Sequence, residues 1–381
     1  MRSAAGTYRF DPLIIGLTAA LVGAGLVMLY SSSSDTAADL TGDHMFFLKR
    51  QLLRVLLGSG LLLVCALTDY HRLRRWAPYI LLVSMALLLT TLIYHRLDGG
   101  SATARWLPLG PISFQPSDFA RLSLIIYLAA YLDRKGDLMG DFRRGFLPPV
   151  FIICLVMGLV VLEPDFSTAA LIGGLGLTML FIGRARLQHV LGLVLVALPT
   201  MAAVMLAEPY RRVRIKTFLG LLDSPAAEYQ ISQSLISLGN GGLIGRGLGN
   251  SVEKRLFLPA PHTDFVFAII GEELGFIGSL LLLAAFVWLF QRGIVAARNA
   301  PDRFGLFLAV GIGLNFMTYV LVNTGVVTEV LPNTGVPLPL ISYGGTHIVF
   351  TLISLGILLN ISAIASRRRW GQQLVNARTR T

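Results

Sequence analysis

Three carboxylates stand close together in Leu258–Gly278, LPAPHTDFVFAIIGEELGFIG: Asp264 after a Pro-rich loop, and Glu272 and Glu273 inside the apolar run that follows. Acids at the mouth of a membrane helix, or within it, are costly and call for a purpose. Asp264 and Glu272 are eight residues apart, about 12 Å along a helix axis. Paired glycosidase carboxylates need about 5 Å when retaining and about 6.5–9.5 Å when inverting. The two are therefore not an acid/base pair. A single base, acting alone or with cations, fits the spacing better. Asp264 or Thr263 also reads as an N-cap of the helix that follows. Glu272 and Glu273 lie more than two turns inside and read as structural glue with polar partners.

Cations and polar turns that could serve such a base occur in four other stretches. In RWLPLGPISFQPSDFAR, Trp106 by itself reads rather as an interfacial anchor on an irregular loop. Ser117 is a candidate N-cap there, and Asp118 and Arg121, at i,i+3, are either a capping pair or a held cation facing an anionic ligand. Glu163-Pro164-Asp165 reads structurally at Glu163, while Asp165 is either a helix cap or an acid that orients a basic partner or binds a cation. The segment 208–263 begins with Glu208, Arg211, Arg212, Arg214 and Lys216. That run is a solvated helix by default, or a phosphate or diphosphate site where an acidic ligand uses it. The glycines from Gly239 to Gly249 fit no nucleotide fingerprint and suggest a flexible, substrate-lining loop. Finally, 331–346, LPNTGVPLPLISYGGT, cannot be regular helix, and beside a membrane such backbone belongs to a built pocket.

The elements that must position these residues are membrane spans. The chain of 381 residues is 54% apolar and 14% charged, with a mean hydropathy of +0.69, and its apolar blocks approach the ~20 residues that cross a bilayer. The expected fold is an all-α polytopic membrane protein, one domain over 1–381. Ten spans can be drawn, at about 12–31, 50–68, 77–95, 115–132, 146–162, 166–183, 188–207, 264–290, 304–325 and 342–365. A long extracytoplasmic loop, about 208–263, separates spans 7 and 8, and a basic tail follows from about 366. The run Ser31–Ser34 is expected as a loop ending the first span. The formal charge of +11 could suggest nucleic acid, but the basic residues cluster between apolar blocks. Most collect on one side if both termini are cytoplasmic, as the positive-inside rule requires. Nucleic acid is thereby excluded as a partner, and the working face points away from the cytoplasm. Cys65 and Cys154 sit in apolar blocks and read as small core residues without a disulfide.

These motifs, in this order and over essentially the whole chain, resemble the SEDS family (shape, elongation, division and sporulation) of integral-membrane peptidoglycan glycosyltransferases. RWLPLGPISFQPSDFARL, EPDFSTA, YQISQSLISLGNGGLIGRGLGNS, LPAPHTDFVFAIIGEELG and TGVPLPLISYGG carry the resemblance. Asp118 and Arg121 replace the family's usual Glu and Lys, and Thr346 and His347 replace its closing pair of serines. GLGNSVEKRLFLP leans toward the cell-division FtsW branch, TGVPLP toward the elongation RodA branch.

The resemblance implies polymerisation of lipid II on the outer face of the bacterial cytoplasmic membrane. Asp264 would act as general base on the acceptor sugar's 4-hydroxyl, with inversion. It implies substrate-binding roles for Trp106, Asp118, Arg121, Asp165, Arg211, Arg212, Arg214, His262 and Ser342. The leaving diphosphate would be met by Arg or Lys, with or without a divalent cation (Mg or Mn). Expected partners are a class B penicillin-binding protein transpeptidase and other divisome or elongasome membrane proteins. The competing readings are a lipid II flippase or transporter, and a non-catalytic division scaffold.

Overall fold

The computed structural model describes residues 10–97, 105–109, 112–207, 209–218, 221, 225–256 and 262–378. Lipid offers no hydrogen bonds to a backbone, so apolar runs of this length satisfy their own amides as helices. In chain order these are α1 (Pro12–Thr41), α2 (Phe46–Leu67), α3 (His71–Leu97), α4 (Pro116–Lys135), α5 (Leu147–Leu162), α6 (Phe166–Ile182) and α7 (Leu187–Ala207). There follow α8 (Pro209–Phe218), α9 (Pro225–Gly241), α10 (Glu253–Leu256), α11 (Val266–Asn299), α12 (Arg303–Val327) and α13 (His347–Arg378). A short antiparallel hairpin, β1 (Leu107–Leu109) with β2 (Ile112–Phe114), precedes α4.

Among the described residues, eight helices are long and apolar enough to cross a membrane, α6 being shorter. α4 has the length but carries Asp118, Arg121 and Asp133. Its charges are tolerable because protein surrounds it: α4 packs against α3, α5, α6, α12 and α13. α13 lies against α2, and α11 against α12 and α9. α7 has no buried residue and stands at the periphery beside α6 and α8.

Two expectations need correction and one gains detail. First, Ser31–Ser34 is not a loop: α1 continues to Thr41 and is closed by Gly42 in the left-handed conformation. The Ser32 and Ser33 hydroxyls donate back to the Leu29 carbonyl, which lets serine sit inside a helix. Second, the long connection expected between spans 7 and 8 is present, and its described residues are largely helical, comprising α8, α9 and α10. Third, the eighth and tenth spans begin later than drawn, α11 at Val266 and α13 at His347, leaving Asp264 and Ser342 in the turns before them.

α11 is broken. Gly275 adopts φ 68, ψ −169, and a Cβ there would come within 2.3 Å of the Gly245 amide nitrogen. Residues 242–247 fill the gap with backbone groups. Phe276 and Ile277 N–H donate to the Gly242 and Leu243 carbonyls at 2.9 and 3.1 Å, and Arg246 and Gly247 N–H donate to the Glu272 and Glu273 carbonyls at 3.0 Å. The glycine-rich stretch is therefore a plug for a helix break, not a flexible lining loop, because the orphaned amides and carbonyls of the break must be met.

Beside the plug lie Glu272 and Glu273, both 0% exposed. Glu273 accepts from Lys254 Nζ at 2.9 Å and from Ser31 Oγ at 2.6 Å. Glu272 accepts from Ser251 Oγ, Ser237 Oγ and the Val252 amide, and pairs with Arg246 at 3.4 Å. The two acids tie α1, α9 and α10 to the break.

Candidate active site

Asp264 sits in the turn 262–265 just before α11. The N-cap of α11 is Phe265, with no side-chain capping bond, so the Asp264 carboxylate does not cap the helix. Its backbone carbonyl accepts from Asn323 Nδ2 of α12 at 2.8 Å, and the same nitrogen donates to the Val336 carbonyl. One amide thus holds the acid's turn against the Pro- and Gly-rich segment 331–346. The carboxylate is enclosed, and burial pushes its pKa up to about 6 against the opposing pull of Arg214 and Arg105. A carboxylate raised that far is a stronger base yet still mostly ionised at neutral pH.

It opens on a cavity of about 370 Å³. The cavity is lined by Arg50 and Arg54 of α2, Arg105 and Trp106 before the hairpin, and Ser113 and Gln115 around it. Asp118 of α4, Asp165 at the N-cap of α6, Thr168 of α6, Tyr319 of α12, His347 of α13 and the 335–337 and 343–345 turns line the rest of the wall. Trp106 abuts Gly345: a Cβ at that position would meet its Cζ3 at 2.2 Å. Only glycine admits the indole, so the hairpin and the turn before α13 are fitted to each other.

Arg105 spans two segments, donating to the Pro164 carbonyl at 2.8 Å and standing 3.6 Å from Asp165. Asp165 caps α6 by accepting from the Thr168 amide at 3.2 Å, and it also accepts from Gln115 Nε2 at 3.3 Å. It is both a cap and part of the cavity wall. Glu163 is 0% exposed, and burial, with the nearby Asp165 charge, pushes its pKa up to about 8. It stays protonated at neutral pH and takes no part in the cavity.

Asp118 and Arg121 form a buried pair at 3.3 Å. Asp118 accepts from Thr346 Oγ1, which in turn accepts from the Gln115 amide. Thr346 therefore keeps a hydroxyl bound to the acid. Arg121 stacks over Tyr319 at 4.1 Å and donates to its hydroxyl. It lies beneath the cavity and acts on it through Asp118 and Tyr319.

Other sequence-derived candidates are dispersed. Arg214 reaches the site's edge, donating to the Asn333 carbonyl at 3.2 Å. Arg212 does not: it caps α7, donating to the Leu206 carbonyl at 2.9 Å. Arg211 lies in α8 with its side chain outside the described residues. His262 is wedged against Phe47 and Tyr343 with ring centroids at 4.5 and 5.7 Å. Burial lowers its pKa to about 4, so it is neutral and offers an anion no charge. Ser342 is buried and accepts from the Leu338 amide at 2.9 Å, shaping the turn and not touching the cavity.

Arg50, Arg54, Tyr319 and Asn323 were not singled out from sequence. The first two carried a signal: two arginines at i,i+4 entering an apolar span share one helix face and need a polar neighbour. Among the described residues, no three His, Cys, Asp or Glu side chains converge as metal ligands.

The family model described as cell cycle protein, FtsW/RodA/SpoVE, matches residues 12–367. A probable peptidoglycan glycosyltransferase FtsW of Geobacter metallireducens is 39% identical over 355 residues, covering 93% of this chain and 95% of that protein. Stage V sporulation protein E of Bacillus subtilis is 39% identical over 353 residues, covering 92% and 96%. Among solved structures, a chain from a study of polymerization and crosslinking by a peptidoglycan synthase complex matches with TM-score 0.77 at 27% identity, covering 94% and 99%. The rod shape determining protein RodA of Thermus thermophilus matches with TM-score 0.67 at 27% identity, covering 92% and 96%.

Proposed function

The chain belongs to the FtsW/RodA/SpoVE family of cell cycle proteins, and we propose that Asp264 is the general base with which this multi-pass membrane glycosyltransferase polymerises lipid II. The observation that carries this is one enclosed carboxylate, raised to about 6, facing a cavity walled by Arg50, Arg54 and Arg105. Asp264 takes the proton from the acceptor sugar's 4-hydroxyl as that oxygen attacks the anomeric carbon of the lipid-linked donor. The lipid diphosphate departs from the opposite face, and the configuration inverts. Its growing charge is met by guanidinium groups held in place before the reaction. Arg121 is a positioning residue: it fixes Asp118 and Tyr319, which form part of the cavity wall.

The whole chain acts as a single integral-membrane unit in the bacterial cytoplasmic membrane. The termini are cytoplasmic and the cavity faces outward, a placement supported by the basic clusters at the opposite end of the helices. There Arg74 pairs with Asp133, Arg303 with Asp137 and Arg292 with Asp11. The FtsW relatives favour the division branch. A class B penicillin-binding protein supplies the crosslinking that a polymerase lacks, with other divisome membrane proteins around the pair.

The test is polymerisation of labelled lipid II by the purified chain with its partner. Wild type yields glycan chains and Asp264→Asn does not. A wild type that only moves lipid II between leaflets, or an active Asp264→Asn, overturns the proposal.

A further inference from the structure

α7 is the helix least enclosed by the bundle, meeting it chiefly through α6 and α8. Between α5, α6 and α7 lies a second cavity, of about 180 Å³. Its walls are apolar, with Ile153 and Met157 from α5, Gly174 and Leu177 from α6, and Leu193 and Ala197 from α7. An apolar cavity of about 150 Å³ stays dry and takes in benzene or xenon, so this one suits hydrocarbon and not water. Gly174 keeps it open: a Cβ there would meet nothing within 4 Å. On α5, which starts at Leu147, the wall runs from Val150 to Met157, about 5–15 Å along the axis. On α7, which starts at Leu187, it runs from Leu193 to Met201, about 9–21 Å along. One half of the hydrocarbon core is about 15 Å thick, so the cavity lies mostly in the leaflet that meets the start of α5.

At that end of the helices two loops carry four exposed arginines. Arg143 and Arg144 precede α5, and Arg184 and Arg186 join α6 to α7. The loops touch each other. A Cβ on Gly140 would come 3.5 Å from Arg186 Nε, and the His189 ring packs on Phe142 and Phe146 with centroids at 5.2 and 5.4 Å. Phe146 and His189 each stand one helical turn before a cavity residue, Val150 and Leu193. The same helix faces therefore lead from the loops into the cavity. Nearby, Arg74 is paired with Asp133 and Arg303 with Asp137. Among the described residues, the four loop guanidinium groups have no such carboxylate partner, and Asp141 between them accepts the Arg143 and Arg144 amides. Topology alone explains positive charge beside a span, but it does not explain an open apolar slot above that charge.

We propose that this is a site for one anionic phospholipid. Its phosphate rests among Arg143, Arg144, Arg184 and Arg186, where guanidinium groups match phosphate oxygens, and one acyl chain fills the cavity and joins α7 to α5 and α6. The site is separate from the cavity of Asp264. That cavity is lined by Asp165 at the opposite end of α6, about 25 Å away along a helix of that length. With the termini cytoplasmic, the lipid belongs to the cytoplasmic leaflet, and a sugar diphosphate bound at the outer face cannot place its charge there. The site depends on the placement of the helices in the membrane and not on the glycosyltransferase reading.

The experiment places the full chain in phosphatidylcholine nanodiscs with increasing phosphatidylglycerol. It follows thermal unfolding and, by native mass spectrometry, the lipid that stays bound. Wild type retains phosphatidylglycerol, and its melting midpoint rises with the phosphatidylglycerol fraction. Arg184→Gln with Arg186→Gln weakens retention about tenfold or more, since each basic residue at the headgroups adds attraction. Gly174→Leu fills the slot and keeps every charge. It loses the retained lipid while melting no lower than wild type in phosphatidylcholine alone, and so reads the site even where the arginine variant misfolds. Equal retention by Gly174→Leu overturns the proposal, because the arginines then gather headgroups only as a charged surface. Equal retention of phosphatidylcholine overturns it, as does full protection by inorganic phosphate, which has no chain to bind. Displacement of phosphatidylglycerol by a polyprenyl diphosphate also overturns it, since the slot would then serve the substrate. None of these readouts needs polymerisation, so a chain that makes no glycan still gives the answer.

Discussion

Asn323 Nδ2 donates to the carbonyl oxygens of both Asp264 and Val336, at 2.8 Å each, so a single side-chain nitrogen on α12 holds the acid against the loop that closes the cavity. Replacing it with Leu leaves two enclosed carbonyls unmet, at a cost of about 1–3 kcal/mol each. Asn323→Leu is expected to lose most polymerisation while remaining folded, with the loss in kcat. A thermal melt alongside steady-state rates separates this from collapse of the helices. An Asn323→Leu protein with wild-type kcat would show that Asp264 needs no such clamp.

Protonation of Asp264 gives a direct pH dependence. Burial raises its carboxyl to about 6, so below that pH it carries the proton it must accept. The rate of polymerisation should climb as one group ionises near pH 6 and then level off. The same shift has a stability sign: the raised group favours folding when protonated, and that contribution is lost as pH rises through about 6. Asp264→Asn should therefore abolish activity by at least about a hundredfold without lowering thermal stability above pH 6. Loss of both together would mark Asp264 as structural.

Lys254 and Glu273 are 7% and 0% exposed and meet at 2.9 Å. Removing one partner strands a buried charge, typically about 3–5 kcal/mol. Lys254→Met is expected to lower the melting temperature sharply, and Lys254→Met with Glu273→Gln to recover part of it. Non-additivity in that cycle, measured by thermal unfolding, checks the coupling. Strict additivity would mean the two residues act separately.

At Gly275 the backbone demands φ 68 and the space is occupied by the Gly245 amide. Gly275→Ala is expected to destabilise by on the order of 1–3 kcal/mol from backbone strain alone. It should also release the 242–247 plug, which amide exchange of Arg246 and Gly247 would detect as faster opening. An unchanged exchange pattern would show the break to be tolerant of a side chain.

Much of this architecture is legible in the residues because lipid permits so few backbone solutions. The ten drawn spans each fall on a helix, eight of them long and apolar enough to cross a membrane, and Asp264 separates from Glu272 and Glu273 by helical spacing alone. What escaped depends on partners far away in the chain. Serines at 31–34 look like a helix end until Glu273 supplies a buried acceptor for Ser31. The glycines of 242–247 look flexible until the broken α11 presents its unmet amides. The basic run of α8 looked like the anion site because its charges are dense. Yet Arg212 serves the α7 carbonyls and Arg214 reaches the site's edge, while the cavity also takes Arg50 and Arg54 from α2. Charge density is local, whereas a cavity is assembled from segments that sequence distance cannot relate.

The bond between Ser31 and Glu273 joins residues 242 positions apart, so the acids inside α11 depend on a helix from the start of the chain. Glu272 and Glu273 would be costly in lipid if uncompensated, and Ser31, Ser237, Lys254 and the 242–247 plug all precede them in sequence. A chain growing from its N-terminus therefore carries these compensating groups before the two acids are made.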